Sequence, residues 1–109
     1  MDYIEHINGF LKLAAKDARL YPSHISLYMA LLNYWENNNF DNPILLKRGD
    51  LMAIAKISAK ATYLKCIKEL HNYGYIQYDP SHNAYRGTWV FMVVFDGAKN
   101  KEGKAMRIG

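Results

Sequence analysis

From Ile57 to Ile76 the chain reads Ile-Ser-Ala-Lys-Ala-Thr-Tyr-Leu-Lys-Cys-Ile-Lys-Glu-Leu-His-Asn-Tyr-Gly-Tyr-Ile. Ser58 stands where a hydroxyl can cap a helix by accepting from an otherwise unpaired backbone N–H. Tyr63, Cys66, Ile67 and Leu70 then recur at spacings of three, one and three, which is one face of a helix over residues 59–73. Lys60, Leu64, Lys65 and Lys68 fall on or near the opposite side. Gly74 stops the helix, because glycine takes the left-handed conformation in which helices end. Tyr75-Ile76 then opens an extended segment. The stretch predicts a capped, basic helix that lies against a polyanion, with a β-hairpin beside it.

The charge distribution sharpens that reading. The chain of 109 residues carries a net charge of +4. Residues 56–68 hold four lysines and no acid, whereas residues 1–55 have five basic and six acidic side chains. The segment 69–95 is net −1, and the tail 96–109 has four basic residues against two acids. Positive charge thus gathers in one helix and one tail on a near-neutral body. This is the electrostatic footprint of a nucleic-acid reader, and also one that a solvated helix face can leave.

Length and composition fix the class. The chain suffices for one domain with a single core, and half of its residues are apolar, so it is globular rather than disordered. Nine tyrosines against four phenylalanines supply large bodies whose hydroxyls each need a partner. One cysteine, Cys66, allows no internal disulfide. With no basic, hydrophobic leader in Met-Asp-Tyr-Ile-Glu-His, it predicts a cytoplasmic setting. The longest apolar run, Trp89 to Phe95, is seven residues and too short to span a bilayer.

Ahead of the basic helix, Tyr3, Ile7, Phe10, Leu11 and Ala14 give helical spacing over 3–17, with Asp2 as cap and Gly9 weakening the helix by about 1 kcal/mol. Ser23 is placed to cap a second helix through Ile25, Leu27, Tyr28, Leu31, Leu32 and Trp35, whose apolar residues exceed one stripe and predict the most buried element. The asparagine run 37–39 and Asp41-Asn42-Pro43 end it. Ile44-Leu45-Leu46 reads as a short strand. Asp50 is placed to cap a short helix through Ala55, and Lys56-Ile57 makes a tight connection. Tyr75–Asp79 and Thr88–Phe95 read as strands joined by Pro80–Gly87. The tail from Asp96 has little to bury and is expected to be mobile.

Helix, helix, short strand, helix, tight turn, helix and strand–loop–strand is the order of a winged helix-turn-helix domain. The pattern Ser-x-x-x-Thr-φ-x-x-φ-φ-x-x-Leu-x-x-x-Gly-φ-Ile, with φ apolar, is met by Ser58, Thr62, Tyr63, Cys66, Ile67, Leu70, Gly74, Tyr75 and Ile76. The chain resembles bacterial winged-helix transcriptional regulators and the related domains of plasmid replication initiators. From Pro22-Ser23-His24 through Tyr34-Trp35 to Tyr78-Asp79-Pro80-Ser81 it is similar to small regulator-like proteins of Bacteroides-type bacteria and their mobile elements. The resemblance covers roughly residues 20–95. It implies an α+β fold of three to four helices with a small antiparallel sheet, and an extra helix over 1–18 within a single domain, 1–95.

The resemblance also implies roles. The helix 59–73 enters the major groove of double-stranded DNA. Ala59, Lys60, Leu64 and Lys65 face the groove, Ser58 and Thr62 offer hydroxyls to phosphates, and Lys68 meets the backbone further along. Arg86, His82 and Tyr85 belong to the wing, and Lys47 and Arg48 are weaker phosphate contacts. A solvated lysine face and a wing shaped only by its turn are the competing explanations, whereas a plain N-cap at Ser58 is compatible with phosphate contact. Lysines with small or apolar neighbours make a poor base reader, since Arg, Asn and Gln form the strong bidentate contacts. That shortfall favours a dimer, with Tyr3, Ile7 and Phe10 of the first helix as the self-association surface. It also keeps open a winged-helix interaction or oligomerisation module that does not read DNA.

No cofactor, metal or catalytic residue is expected. Cys66 with His24 and His71 is the nearest approach to a reactive set. Cys66 lies mid-helix on the apolar face, where thiols are inert packing, and His71 is off that face by spacing. No phosphate-binding glycine loop or nucleophile motif is present.

Overall fold

The apolar periodicities become four helices and three short strands in the computed structural model, which describes residues 2–79 and 88–95. In chain order they are α1 (Tyr3–Lys16), α2 (Pro22–Asn37), β1 (Ile44–Leu46), α3 (Arg48–Ala55), α4 (Lys60–Asn72), β2 (Ile76–Asp79) and β3 (Thr88–Met92). The fold is α+β, as expected. The loop 80–87, with His82, Tyr85 and Arg86, and the tail 96–109 lie outside the described residues.

α2 is the central bar. It buries His24, Leu27, Tyr28, Ala30, Leu31, Leu32 and Trp35, more than one stripe, in agreement with its sequence. Its start differs from expectation. Tyr21 is the N-cap and Pro22 opens the helix, where a missing N–H costs nothing. Ser23 sits inside the first turn, and its hydroxyl accepts from the Cys66 thiol at 3.3 Å. The capping work falls to His24, whose Nδ1 accepts from the Tyr21 N–H at 2.8 Å.

α1 is capped as predicted, the Asp2 carboxylate accepting from the Glu5 N–H at 3.1 Å. Its inward face is His6, Gly9 and Phe10, and the Phe10 ring stacks on Tyr28 with centroids 3.8 Å apart. Burying such a ring contributes about 1.5–3 kcal/mol. The side chains expected to mediate self-association therefore face the protein's own core: Phe10 is wholly buried, Ile7 packs against the core, and Tyr3 lies on Phe40 at 5.2 Å. Ile4 and Leu11 point outward instead.

The sheet is antiparallel with order β1-β3-β2. Ile44 pairs with Val90 and Leu46 with Thr88, while Ile76 pairs with Met92 and Asp79 with Trp89. Alternation sends Ile44, Leu46, Ile76, Val90 and Met92 into the core and leaves Leu45, Gln77, Asp79, Trp89 and Phe91 outside. The Asn42 amide extends the β1–β3 ladder, accepting from the Met92 N–H at 2.9 Å and donating to the Met92 carbonyl at 3.0 Å.

β3 is shorter than the predicted Thr88–Phe95. After Met92 the chain leaves the sheet and meets α1. The Phe95 N–H donates to His6 Nδ1 at 2.9 Å, and His6 Nε2 lies 2.9 Å from the Tyr28 hydroxyl. With Nδ1 accepting, the ring hydrogen sits on Nε2 and points to Tyr28. Burial raises the Tyr28 phenol pKa well above its ordinary value, so the hydroxyl keeps its proton.

Candidate nucleic-acid interface

Two local features aim α4. The first is the turn before it. α3 starts at Arg48, three residues earlier than a cap at Asp50 would place it, with Lys47 as N-cap. Asp50 lies in the first turn, where its carboxylate accepts from the Tyr34 hydroxyl at 3.3 Å. At the other end Lys56 takes a left-handed conformation, φ 63°, a position usually filled by glycine. The Ile57 N–H reaches back to the Met52 carbonyl at 3.0 Å, and the Ile57 side chain plugs into the core. The Ser26 hydroxyl also donates to the Ala55 carbonyl, tying α2 to this turn.

The second is the exit. Gly74 has φ 92°, the Tyr75 N–H donates to the Leu70 carbonyl at 2.9 Å and the Gly74 N–H to the His71 carbonyl at 3.1 Å. This double closure fixes where β2 departs. His71 Nδ1 then accepts from the Tyr78 N–H at 3.0 Å, bracing α4 against the strand.

Ser58 does not cap α4. The helix begins at Lys60 with Ala59 as N-cap, no side chain caps it, and its first turn holds no acid. Ser58 is exposed one residue before that cap. The opening of α4 thus presents backbone N–H groups and the positive end of the helix dipole beside Lys60.

Tyr63, Cys66, Ile67 and Leu70 are buried as predicted. Opposite them, at spacings of four, three and four, stand Ala61, Lys65, Lys68 and Asn72, all exposed. Lys60 and Leu64 flank this stripe on one side, Thr62 and Glu69 on the other. Leu64 is half-buried and partly packs on the core, so it offers less to a groove than the sequence suggested. Asn72 is the residue the sequence reading missed: it shares the lysine stripe, and four-residue spacing from Lys68 was the available signal. From Lys60 to Asn72 the helix runs about 18 Å. Lys47 and Arg48 are exposed where α3 begins. Arg48 lies near enough to Tyr63 to oppose the effect of burial, which pushes that phenol up to about 12.

The single acid of α4, Glu69, is held by His24, whose Nε2 lies 2.8 Å from its Oε1. With Nδ1 accepting from Tyr21, Nε2 is the donor. A further cluster fastens the α1–α2 connection to the end of α4. Arg19 grips Asp17 through two side-chain contacts at 2.7 and 2.8 Å. The Tyr75 hydroxyl donates to the same carboxylate at 2.8 Å, and the guanidinium sits 4.1 Å from the Tyr73 ring centroid. The Arg19 hydrogen bond, reinforced by Tyr75, holds the Asp17 carboxyl well below the usual range. Burial, then the bond to Asp17, pushes Tyr75 up. Arg19 is therefore a structural cation.

Cys66, His24 and His71 are separately engaged: Cys66 with Ser23, His24 with Glu69, and His71 with Tyr78. No group of three or more His, Cys, Asp or Glu side chains placed to hold a metal occurs among the described residues. No helix there is long and apolar enough to cross a membrane. Comparison with protein families, with characterised proteins and with solved structures finds no match to this chain.

Proposed function

We propose that the chain is a winged-helix domain that binds double-stranded DNA with little sequence discrimination. α4 lies in the major groove, and the domain serves as a small bacterial transcriptional regulator or mobile-element accessory factor. The observation that carries the reading is the surface of α4: Lys60, Lys65 and Lys68 exposed away from the core, on a helix whose start is uncapped and free of acid. Support also comes from the layout, in which α3 and α4 intervene between β1 and β2 and the sheet runs β1-β3-β2. Ser58, Thr62 and the α4 N–H groups would take phosphate oxygens. Lys65 and Lys68 would neutralise backbone charge or reach guanine, and Asn72 adds one amide able to read adenine.

Binding of this kind is salt-dependent, each phosphate contact contributing about 0.9 to the slope of log K against log salt. A Lys60/Lys65/Lys68→Ala variant should lose affinity for mixed-sequence duplex, and its slope should flatten by about 2.7. Equal binding by variant and wild type would refute the proposal. A chain ending at Phe95 is the control, because residues 96–109 carry a net +2 of their own.

A second reading, a protein-interaction module, is favoured by one observation. Leu45 and Trp89 are paired neighbours, and with Phe91 they form an exposed apolar patch on the outer face of the sheet. Flat DNA titrations, together with an association that Trp89→Lys abolishes, would select it.

A further inference from the structure

Packing α1 on the core leaves an outward stripe of a different character. Ile4, Asn8, Leu11 and Ala15 recur at spacings of four, three and four, and all are exposed, Ile4 by 67% and Leu11 by 47%. They lie opposite His6, Gly9, Phe10 and Leu13. Glu5, Lys12 and Lys16 run along one flank of this stripe, also exposed, with the acid at the N-terminal end and the two lysines toward the C-terminal end.

We propose that this stripe pairs with the same stripe of a second copy, the two α1 helices running antiparallel about a two-fold axis near Asn8. The pattern is self-complementary in that arrangement. Ile4 meets Leu11 of the other copy, and Leu11 meets its Ile4. The two Asn8 amides approach each other beside the axis, where each can donate and accept. A two-fold perpendicular to the helices keeps like flanks on the same side while reversing their order. Glu5 of each copy therefore faces Lys12 of the other, with Lys16 beyond. A parallel pair would set the charged flank against the uncharged side that carries Ile7 and Ala14. The same charge order also suits the dipole of α1 itself, so the test must read association rather than stability. The contact is small, in the class of weak, reversible interfaces. It needs no DNA, and would give a DNA-bound form two recognition helices.

Sedimentation equilibrium of the full chain should show a reversible monomer–dimer equilibrium. Leu11→Glu should weaken it at least about tenfold, with an unchanged circular dichroism spectrum. Glu5→Lys should weaken association, and adding Lys12→Glu with Lys16→Glu should restore it. Orientation is read by cross-linking: Asn8→Cys should form a disulfide-linked dimer. Ala15→Cys should not, because the antiparallel arrangement separates those positions by roughly 20 Å. The wild type, whose Cys66 is buried, is the control. A chain that stays monomeric, a dimer indifferent to Leu11→Glu, or cross-linking at both positions would overturn the proposal.

Discussion

Two glycines sit inside helices, and the structure predicts opposite signs for the same substitution. Gly49 lies in the first turn of α3, exposed, and a Cβ built there meets nothing within 4 Å. Replacing it with alanine gives the helix a better former and restricts the unfolded chain, a gain of about 0.4–1 kcal/mol. Gly9 lies mid-way along α1 against the outgoing chain. A Cβ there would sit 2.8 Å from the Phe95 carbonyl oxygen, 3.1 Å from its Cβ and 3.2 Å from its carbonyl carbon. Helix preference again favours alanine by about 1 kcal/mol.

Against that gain, contact at 3.4 Å requires the Phe95 backbone to retreat about 0.6 Å. The retreat is resisted by the bond from the Phe95 N–H to His6 and by the packing of its ring on His6 at 5.5 Å and on Tyr75 at 6.0 Å. Overpacking of this kind costs about 1–3 kcal/mol, so Gly9→Ala should come out destabilised by about 1 kcal/mol. Thermal unfolding followed by far-ultraviolet circular dichroism should show the two midpoints moving apart. Gly49→Ala should rise a few degrees and Gly9→Ala fall by about 4–8 °C. Equal increases would refute the close approach of α1 to Phe95, and with it the account of why a helix-weakening residue stands in α1.

Four further outcomes rest on the caps and polar contacts described above. Ser58→Ala should change stability by less than about 0.5 kcal/mol, because Ser58 does not cap α4. Ala59→Asp should add about 1 kcal/mol in urea unfolding, yet weaken DNA binding by setting a carboxylate where phosphate is proposed to sit. Asp17 has a folded-state pKa below its unfolded value, so its contribution is full above the unfolded pKa of about 4 and is lost as pH falls below that. Asp17→Asn should therefore cost about 1–2 kcal/mol at neutral pH, and should flatten the acid limb of stability measured against pH. His24→Ala removes the partners of Glu69 and of the Tyr21 N–H together, and should cost about 1–3 kcal/mol by chemical denaturation.

Periodicity located the elements, because burial repeats locally. The inward face of α4, the stop at Gly74, the breadth of α2 and the three strands all follow from spacings of a few residues. Of the four caps expected, only Asp2 holds its place. Ser23, Asp50 and Ser58 are each a good capping type, and at each the helix begins elsewhere. A cap is chosen by where the chain must turn. Pro22, with φ already set, starts α2 before Ser23 can cap it. β1 ends at Leu46, so α3 begins at once and Asp50 falls within it. The left-handed Lys56 and the buried Ile57 use up the connection that would have let Ser58 cap α4. Long-range polar contacts were equally hidden: His6 meets Phe95 across 89 positions and Asp17 meets Tyr75 across 58.

The misplaced Ser58 bears most on function. A side chain one residue further along would have closed the α4 N–H groups with an internal acceptor, at a gain of about 1 kcal/mol. Instead the chain places Ala59 there and keeps acid out of the first turn. A helix that serves only the fold gains from a cap, whereas one that receives phosphate needs those donors open. Ala59→Asp separates the two demands: stability and DNA affinity should move in opposite directions, and a variant that gains both would remove the reason for reading this helix start as a binding surface.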